Sequence, residues 1–176
     1  MRLFTNTIVA IVCLFFIGTF IAKSDDAPSG HSQYTGSKEF ERIKVLVGTW
    51  EGTSSKDGEK VTVKYETTAG GSVILETLFP GTPHEMVSVY YDNGGKIGMT
   101  HYCMLGNQPQ MTLKKADDNK IALVFVSGGN IDLAKSPHMH ELLISFVDKD
   151  HLIQEWTMFE DGKAKETATF KLTRMQ

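Results

Sequence analysis

The stretch DGEKVTVKYETTAGG, residues 57–71, holds a strand between two turns. Val61, Val63 and Tyr65 alternate with polar residues, which is the twofold period of a β-strand that buries one face. Asp57-Gly58 precedes the alternation and Gly70-Gly71 follows it, and both pairs favour tight turns. The stretch therefore predicts a strand that is entered and left through hairpin turns.

The same unit recurs along the rest of the chain. The later turn signals are Gly81-Thr82-Pro83, Asn93-Gly94-Gly95, Gly106-Asn107, Asp118-Asn119, residues 128–137, Lys149-Asp150 and Asp161-Gly162. Further alternating sets are Ile121, Leu123 and Phe125; Leu142, Ile144 and Phe146; and Ala168, Phe170 and Leu172. We predict an all-β fold, a single closed antiparallel up-and-down β-barrel of about ten strands, because a sheet of that size curls closed to remove its edges. Such a barrel encloses a pocket.

A single short helix is predicted before the first strand. Phe40, Ile43 and Val47 lie at helical spacing, and Ser37 stands where an N-cap belongs. The pattern ends at Gly48, where the period changes from helical to twofold. Because the predicted strands occupy most of the remaining chain, too little is left for the alternating helices of a parallel α/β fold.

The first part of the chain has the features of an export signal. Residues 3–22 carry no charge and follow Met1-Arg2, and Ala22-Lys23-Ser24 fits a cleavage site after Ser24. The run is also close to the roughly 20 residues that cross a bilayer, so an uncleaved N-terminal membrane anchor is the alternative. Either form places the domain outside the cytoplasm, in the periplasm or secreted, with residues 3–22 as a possible membrane tether.

The expected domain organisation follows from these signals. Residues 1–24 form the signal peptide or anchor, residues 25–36 form a flexible linker rich in Pro, Gly and Ser, and residues 37–176 form the barrel. Cleavage would leave Cys103 as the single cysteine and so would exclude an intrachain disulfide. The formal net charge is −3 and no Lys/Arg stripe is present, which argues against nucleic acid as a partner.

Two motifs resemble those of known proteins. Gly48-Thr49-Trp50-Glu51-Gly52 resembles the Gly-x-Trp entry into the first strand of lipocalin-like, or calycin, barrels. The run THYCMLGNQP, residues 100–109, resembles a signature of an uncharacterised group of bacterial exported proteins in that superfamily. The resemblance implies a lipocalin-like barrel in which Trp50 closes one end, and it carries no reaction with it.

The Gly-x-Trp-x-Gly pattern is also similar to the start of the nitrobindins, a haem-binding branch of these barrels. That resemblance implies a haem-ligating histidine in the last strand. Residues 164–172, the predicted last strand, contain no histidine. We therefore do not expect haem.

The candidate site gathers polar and aromatic residues of the predicted barrel. His101 and Cys103 share a strand face with the apolar residues Ile97 and Met99, which predicts that both point inward. His138 and His140 similarly precede Leu142 and Ile144 on one stripe. The predicted ligand-binding residues are Trp50, Tyr90, His101, Cys103, Asn107, Gln108 and His140, and the predicted partner is a small, largely apolar molecule.

Two chemical alternatives use the same residues. Zinc is one, because His101, Cys103, His138 and His140 are all zinc-ligand types, and His-x-Cys opposite His-x-His on neighbouring strands would form a tetrahedral site. We prefer the simpler interpretation, in which His138 and His140 face water at the exit of the long loop and His101 hydrogen-bonds within the wall. The other alternative is a metal-assisted or His/Cys-assisted hydrolase or isomerase that uses His101 and Cys103.

Two glutamates also lie in predicted strands. Glu76 shares a face with Ile74 and Leu78, and Glu166 shares one with Ala168 and Phe170. Each is either an inward acid with a raised pKa or part of a strand whose other face is inside. We interpret Glu76 as a wall or rim residue.

Overall fold

The computed structural model describes residues 34–176. Its elements are helix α1 (Lys38–Lys44) and strands β1 (Gly48–Ser54), β2 (Lys60–Thr68), β3 (Val73–Leu78), β4 (Met86–Asn93), β5 (Lys96–Tyr102), β6 (Gln108–Ala116), β7 (Lys120–Gly129), β8 (His138–Phe146), β9 (His151–Glu160) and β10 (Lys163–Arg174). The predicted signal or anchor and the linker up to residue 33 lie outside the described residues. In residues 34–176 no helix is long and apolar enough to cross a membrane.

The ten strands form one closed antiparallel barrel in which each strand pairs with its neighbours in sequence and β1 pairs with β10. The β1–β10 strand pair that closes the barrel extends from Trp50 opposite Arg174 to Ser54 opposite Phe170. Each of the nine predicted turns coincides with a connection between strands, although residues 128–129 of the break over 128–137 still belong to β7 and Asn93 still belongs to β4. The predicted fold is confirmed.

The closing seam depends on a glycine. Gly52 lies opposite Leu172, and a Cβ atom at Gly52 would lie 1.8 Å from the backbone carbonyl oxygen of Lys171. No other residue fits there unless β1 moves away from β10. The close approach of the two strands therefore explains why the second glycine of the Gly-x-Trp-x-Gly pattern has no side chain.

Helix α1 begins as predicted and ends earlier. The Ser37 side chain accepts a hydrogen bond from the backbone N–H of Phe40 at 3.3 Å, and Phe40 and Ile43 are buried. The helix was expected to continue to Gly48, but it ends at Lys44. Leu46 then takes the buried place that was expected for Val47, whose side chain is exposed.

The helix and Trp50 close one end of the barrel, which we call the helix end. The Trp50 ring is buried and its Nε1 donates to the carbonyl of Leu46 at 2.7 Å. The Arg174 guanidinium lies 4.2 Å above the same ring and donates to the carbonyls of Val45 and Val47. Asp92 fixes the helix start by accepting from the Ser37 N–H and hydroxyl, each at 2.6 Å.

The opposite end, which we call the loop end, is formed by the connections over residues 55–59, 79–85, 103–107, 130–137 and 161–162. An irregularity in β8 changes the predicted facing here. The register of β8 against β9 shifts between Met139 and Glu141, so that Met139 lies opposite Met158 and packs against the core. The predicted continuous stripe through His138 and His140 is therefore wrong, because the extra residue reverses the alternation.

Candidate functional site

A cluster of buried polar side chains lies inside the barrel. It consists of Tyr65, Glu76, Ser88, Tyr90, His101, Gln154 and Trp156, and we call it the interior polar cluster. Strands β2, β3, β4, β5 and β9 each contribute members. The side chains of Tyr65, Glu76, Ser88, Tyr90 and Gln154 are fully buried.

Glu76 is the centre of this cluster. Its Oε1 accepts a hydrogen bond from the Tyr65 hydroxyl at 2.7 Å, and its Oε2 accepts one from the Tyr90 hydroxyl at 2.9 Å. The amide of Gln154 donates to both Glu76 Oε1 and the Tyr65 hydroxyl. The interpretation of Glu76 as a wall or rim residue is therefore wrong: β3 turns this face inward, and donors from three other strands satisfy the carboxylate.

Burial sets the acid–base properties of the cluster. Desolvation raises the pKa of Glu76 above its usual value, and the surrounding hydrogen-bond donors oppose this effect. Desolvation, together with the negative charge of Glu76, raises the pKa values of Tyr65 and Tyr90 well above 10. Both tyrosines are therefore hydrogen-bond donors at neutral pH.

His101 lies at the edge of the cluster. Its Nδ1 is 3.0 Å from the Ser88 hydroxyl, and its ring packs on Trp156 at 4.8 Å between centroids. Its Nε2 is buried and has no hydrogen-bond partner. Burial lowers the pKa of His101 to about 4, so the ring is neutral at pH 7.

A pocket of about 310 Å³ opens at the loop end, and we call it the mouth pocket. Its apolar residues are Phe79, Met86, Met104, Ala168 and Phe170, and its polar residues are Ser54, Lys56, Asp57, Glu59 and His84. Met86 lies two residues before Ser88 on the same face of β4, and Ala168 lies opposite Trp156. The apolar part of the pocket is thus adjacent in the sheet to the His101 side of the interior polar cluster.

The turn over residues 103–107 is held against the long loop before β8. Asn107 is buried, and its Nδ2 donates to the carbonyl of Pro137 at 2.8 Å. Gln108 donates to the carbonyl of Gly106 at 3.3 Å. Both predicted site residues therefore have a role in fixing the turn, and Asn107 Oδ1 remains buried without a partner.

His138 and His140 form a separate aromatic group. His138 is buried, with Nδ1 2.9 Å from the carbonyl oxygen of Ser136 and Nε2 3.0 Å from His140 Nδ1. The His140 ring stacks between Phe159 at 3.9 Å and Phe125 at 5.3 Å. His138 is thus not in water, contrary to the simpler interpretation.

The structure does not assemble the zinc or nucleophile constellations. Within residues 34–176 no group of three or more His, Cys, Asp or Glu side chains is arranged to hold a metal ion. Burial raises the pKa of the Cys103 thiol, which opposes thiolate formation. His101 is bonded to Ser88 and packs on Trp156, and no hydrogen bond joins it to Cys103.

The predicted site residues therefore divide into groups. Tyr90 and His101 lie in the interior polar cluster, Cys103, Asn107 and Gln108 lie at its loop-end turn, His140 lies in the aromatic group, and Trp50 lies at the helix end. Gln154 and Ser88 were not predicted as site residues. Their strand parity was the available signal, because both stand at inward positions among apolar residues.

Comparisons with known proteins bear on the fold. No protein-family model and no curated protein matches this chain. Among solved structures, the crystal structure of Rv2717c from M. tuberculosis superposes with a TM-score of 0.57 at 16% sequence identity, over 81% of this chain and 100% of that one. At this identity the likeness shows a shared barrel fold and nothing about function.

Proposed function

We propose that this chain is an exported, lipocalin-like barrel that binds a small, largely apolar molecule through the mouth pocket. The observation that supports the proposal most directly is the pocket itself. Five of its lining residues are apolar, four of them being flexible Met or aromatic Phe side chains, and five further lining residues are polar. Small-molecule sites commonly combine an apolar lining with a few polar groups in about 300–1,000 Å³. At about 310 Å³ the pocket suits a small ligand.

The side chains of the pocket are adaptable. Met86 and Met104 are unbranched and can change rotamer around different ligands. The rings of Phe79 and Phe170 meet edge to face at 5.8 Å and provide a more rigid apolar wall. Such a site favours shape and apolar area over a fixed pattern of charges.

Native mass spectrometry of the protein expressed from its full chain tests this function. We expect an organic mass excess under native conditions that is lost on denaturation. Ala168→Phe would fill the pocket and should remove the excess, while Ala134→Phe makes the same change in the exposed loop over 130–137 and should retain it. An excess that persists in a folded Ala168→Phe protein would contradict the proposal. The denatured mass also tests export, since cleavage after Ser24 would leave a chain that begins at Asp25.

A protein-binding role is the second candidate. Tyr102, Met104 and Leu105 expose large apolar side chains around the turn over residues 103–107. Exposed apolar residues that are close together commonly mark protein contacts. Replacing Leu105 with Ser would weaken such a contact and leave the ligand mass excess unchanged, so the two functions are separable.

A further inference from the structure

The barrel wall contains a place where two neighbouring strands are joined by side chains. The ladder between β7 and β8 ends at the pair of Val124 and Glu141, although both strands extend further towards the loop end. Beyond that pair the Phe125 ring lies 4.9 Å from the His138 ring and 5.3 Å from the His140 ring. These rings therefore fill the loop-end stretch of the wall between β7 and β8.

The hydrogen bonds of His138 and His140, which we call the histidine pair, have a fixed order in the neutral state. The Ser136 carbonyl can only accept, so His138 Nδ1 donates to it at 2.9 Å. A neutral imidazole carries one proton, so His138 Nε2 then accepts, and His140 Nδ1 donates to it at 3.0 Å. The remaining nitrogen of the pair, His140 Nε2, carries a lone pair that can take up a proton.

The histidine pair can hold one added proton but not two. With one added proton on His140 Nε2, the Nδ1 of the same ring still donates to His138 Nε2. With a second added proton, both facing nitrogens carry hydrogens, and two cations oppose each other across a 3.0 Å contact. The His138 side chain is 1% exposed, and among the described residues its ring nitrogens bond only to Ser136 and His140. A proton on His138 Nε2 would therefore require this ring to reach water.

The charged groups around the pair do not compensate for a second proton. The Glu141 carboxylate beside His140 is already paired with Lys114 of β6 at 2.7 Å. Burial lowers the pKa of His140, with His138 and Lys114 acting in the same direction and Glu141 opposing them. The other elements around the pair contribute two uncharged rings and one ion pair of their own: Phe125 of β7, Phe159 of β9, and Asp132 with Lys135 in the loop over 130–137.

The histidine pair is connected to the mouth pocket through two loops. His138 directly follows Pro137, whose carbonyl accepts a hydrogen bond from Asn107 Nδ2 at 2.8 Å. A second side chain of the same loop donates to the turn over 103–107 at 3.0 Å. This turn carries Met104, which lines the mouth pocket. Movement at the start of β8 therefore removes the bonds that hold one wall of the pocket.

We infer that the histidine pair is an acid-sensitive switch of the mouth pocket, which stays closed with one added proton and opens when both rings are protonated. The inference rests on the proposed function and adds its regulation: the bound molecule is retained near neutral pH and released in an acidic medium. Opening separates residues 130–138 from the barrel wall and frees Met104 from the pocket lining. The open state binds one proton more than the closed state, so acid favours opening.

Hydrogen–deuterium exchange of the protein expressed from its full chain measures this opening directly. Peptides that cover residues 130–141 are followed in the wild type and in His140→Asn at pH 7.5, 6.5 and 5.5. Comparing the two proteins at each pH cancels the intrinsic pH dependence of exchange, and it cancels the contribution of His101, which both contain. We expect exchange in the wild type to accelerate relative to the variant by up to about tenfold for each pH unit below about 6.5, the usual histidine pKa.

Two variants and a control assign the effect to the pair. In His140→Asn the amide places a donor and an acceptor near the former Nδ1, so that it can pair with His138 Nε2 in either protonation state. His138→Phe keeps an aromatic ring beside Phe125 and cannot take up a proton. Both variants should abolish the acid-dependent acceleration. His151→Asn changes an exposed histidine at the helix end and should behave as the wild type. Circular dichroism checks that each protein is folded.

Release is measured with N-phenyl-1-naphthylamine, an apolar fluorescent probe that stays uncharged over this pH range. In stopped-flow dilution, its dissociation rate from the wild type should increase about tenfold between pH 6.5 and 5.5, and it should stay constant in His140→Asn.

The outcomes separate this inference from the proposed function. Equal exchange over residues 130–141 in the wild type and both folded variants at pH 5.5 would overturn the switch. Accelerated exchange with an unchanged probe dissociation rate would overturn its connection to the mouth pocket. Absence of probe binding at pH 7.5 would overturn the proposed function and the regulated release with it, and the exchange data distinguish that failure from failure of the switch.

Discussion

Acidification should destabilise this barrel through His101. The side chain is only 1% exposed, and burial lowers its pKa from the usual 6.5 to about 4. In the unfolded chain the ring takes up a proton as the pH falls through 6.5, whereas in the folded chain it stays neutral until about pH 4. The unfolded state therefore binds more protons throughout this window, and stability falls with pH.

The size of the effect follows from the two pKa values. Between 6.5 and about 4, at 1.36 kcal/mol for each pH unit, His101 should remove about 3 kcal/mol from the free energy of unfolding. Glu76 acts in the opposite sense. Its pKa is raised in the folded state, so its contribution to stability increases as the pH falls. A comparison of two proteins that both contain Glu76 isolates the histidine.

Urea unfolding of the wild type and of His101→Phe from pH 7.5 to pH 4 provides that comparison. The free energy of the wild type should fall relative to the variant by about 3 kcal/mol over the window, with most of the fall between pH 6.5 and 4.5. Circular dichroism at each pH checks that both start folded. Parallel curves for the two proteins would refute the reasoning, because they would mean that His101 titrates alike in the folded and unfolded states.

Three further predictions concern the seam, the helix end and the thiol. Gly52→Ala should lower the free energy of unfolding, measured with urea, by about 3 kcal/mol, because its Cβ would meet the Lys171 carbonyl oxygen at 1.8 Å. An unchanged urea midpoint would contradict the close approach of β1 to β10 at this position. Trp50→Ala should lower the free energy of unfolding by about 3–5 kcal/mol, because it removes the ring that closes the helix end. A smaller decrease would mean that the Trp50 ring does not belong to the core. Cys103 should react with iodoacetamide at pH 7.5 more slowly than free cysteine, since burial raises its pKa, and urea should abolish the difference.

The strand order could be predicted from the sequence, but the arrangement of the polar side chains inside the barrel could not. Turn residues such as Gly70-Gly71 and Asn93-Gly94 are local signals, and they mark the connections of a meander whose neighbours in sequence are neighbours in space. The inward facing of Val61, Val63 and Tyr65 also follows from alternation alone.

The role of Glu76 could not be predicted in the same way. Alternation gives the face of a strand but not whether the face that carries a glutamate is the inner one. Glu76 is tolerated inside because Tyr65, Tyr90 and Gln154 supply donors, and these residues lie on three other strands. The register shift of β8 at His140 could not be predicted either, because one extra residue in a strand does not change its composition.

The pairing of β1 with β10 has a consequence for biosynthesis. Gly52 finds its partner Leu172 in the strand that leaves the ribosome after the other nine, so early segments cannot complete the barrel during translation. Hairpins can form locally as the chain is synthesised, but β1 has no partner on its outer edge until β10 is present. Cooperative folding of the closed barrel therefore requires β10. A premature stop within residues 163–174 should therefore yield an open sheet with two bare edges, prone to aggregation, rather than a slightly smaller barrel.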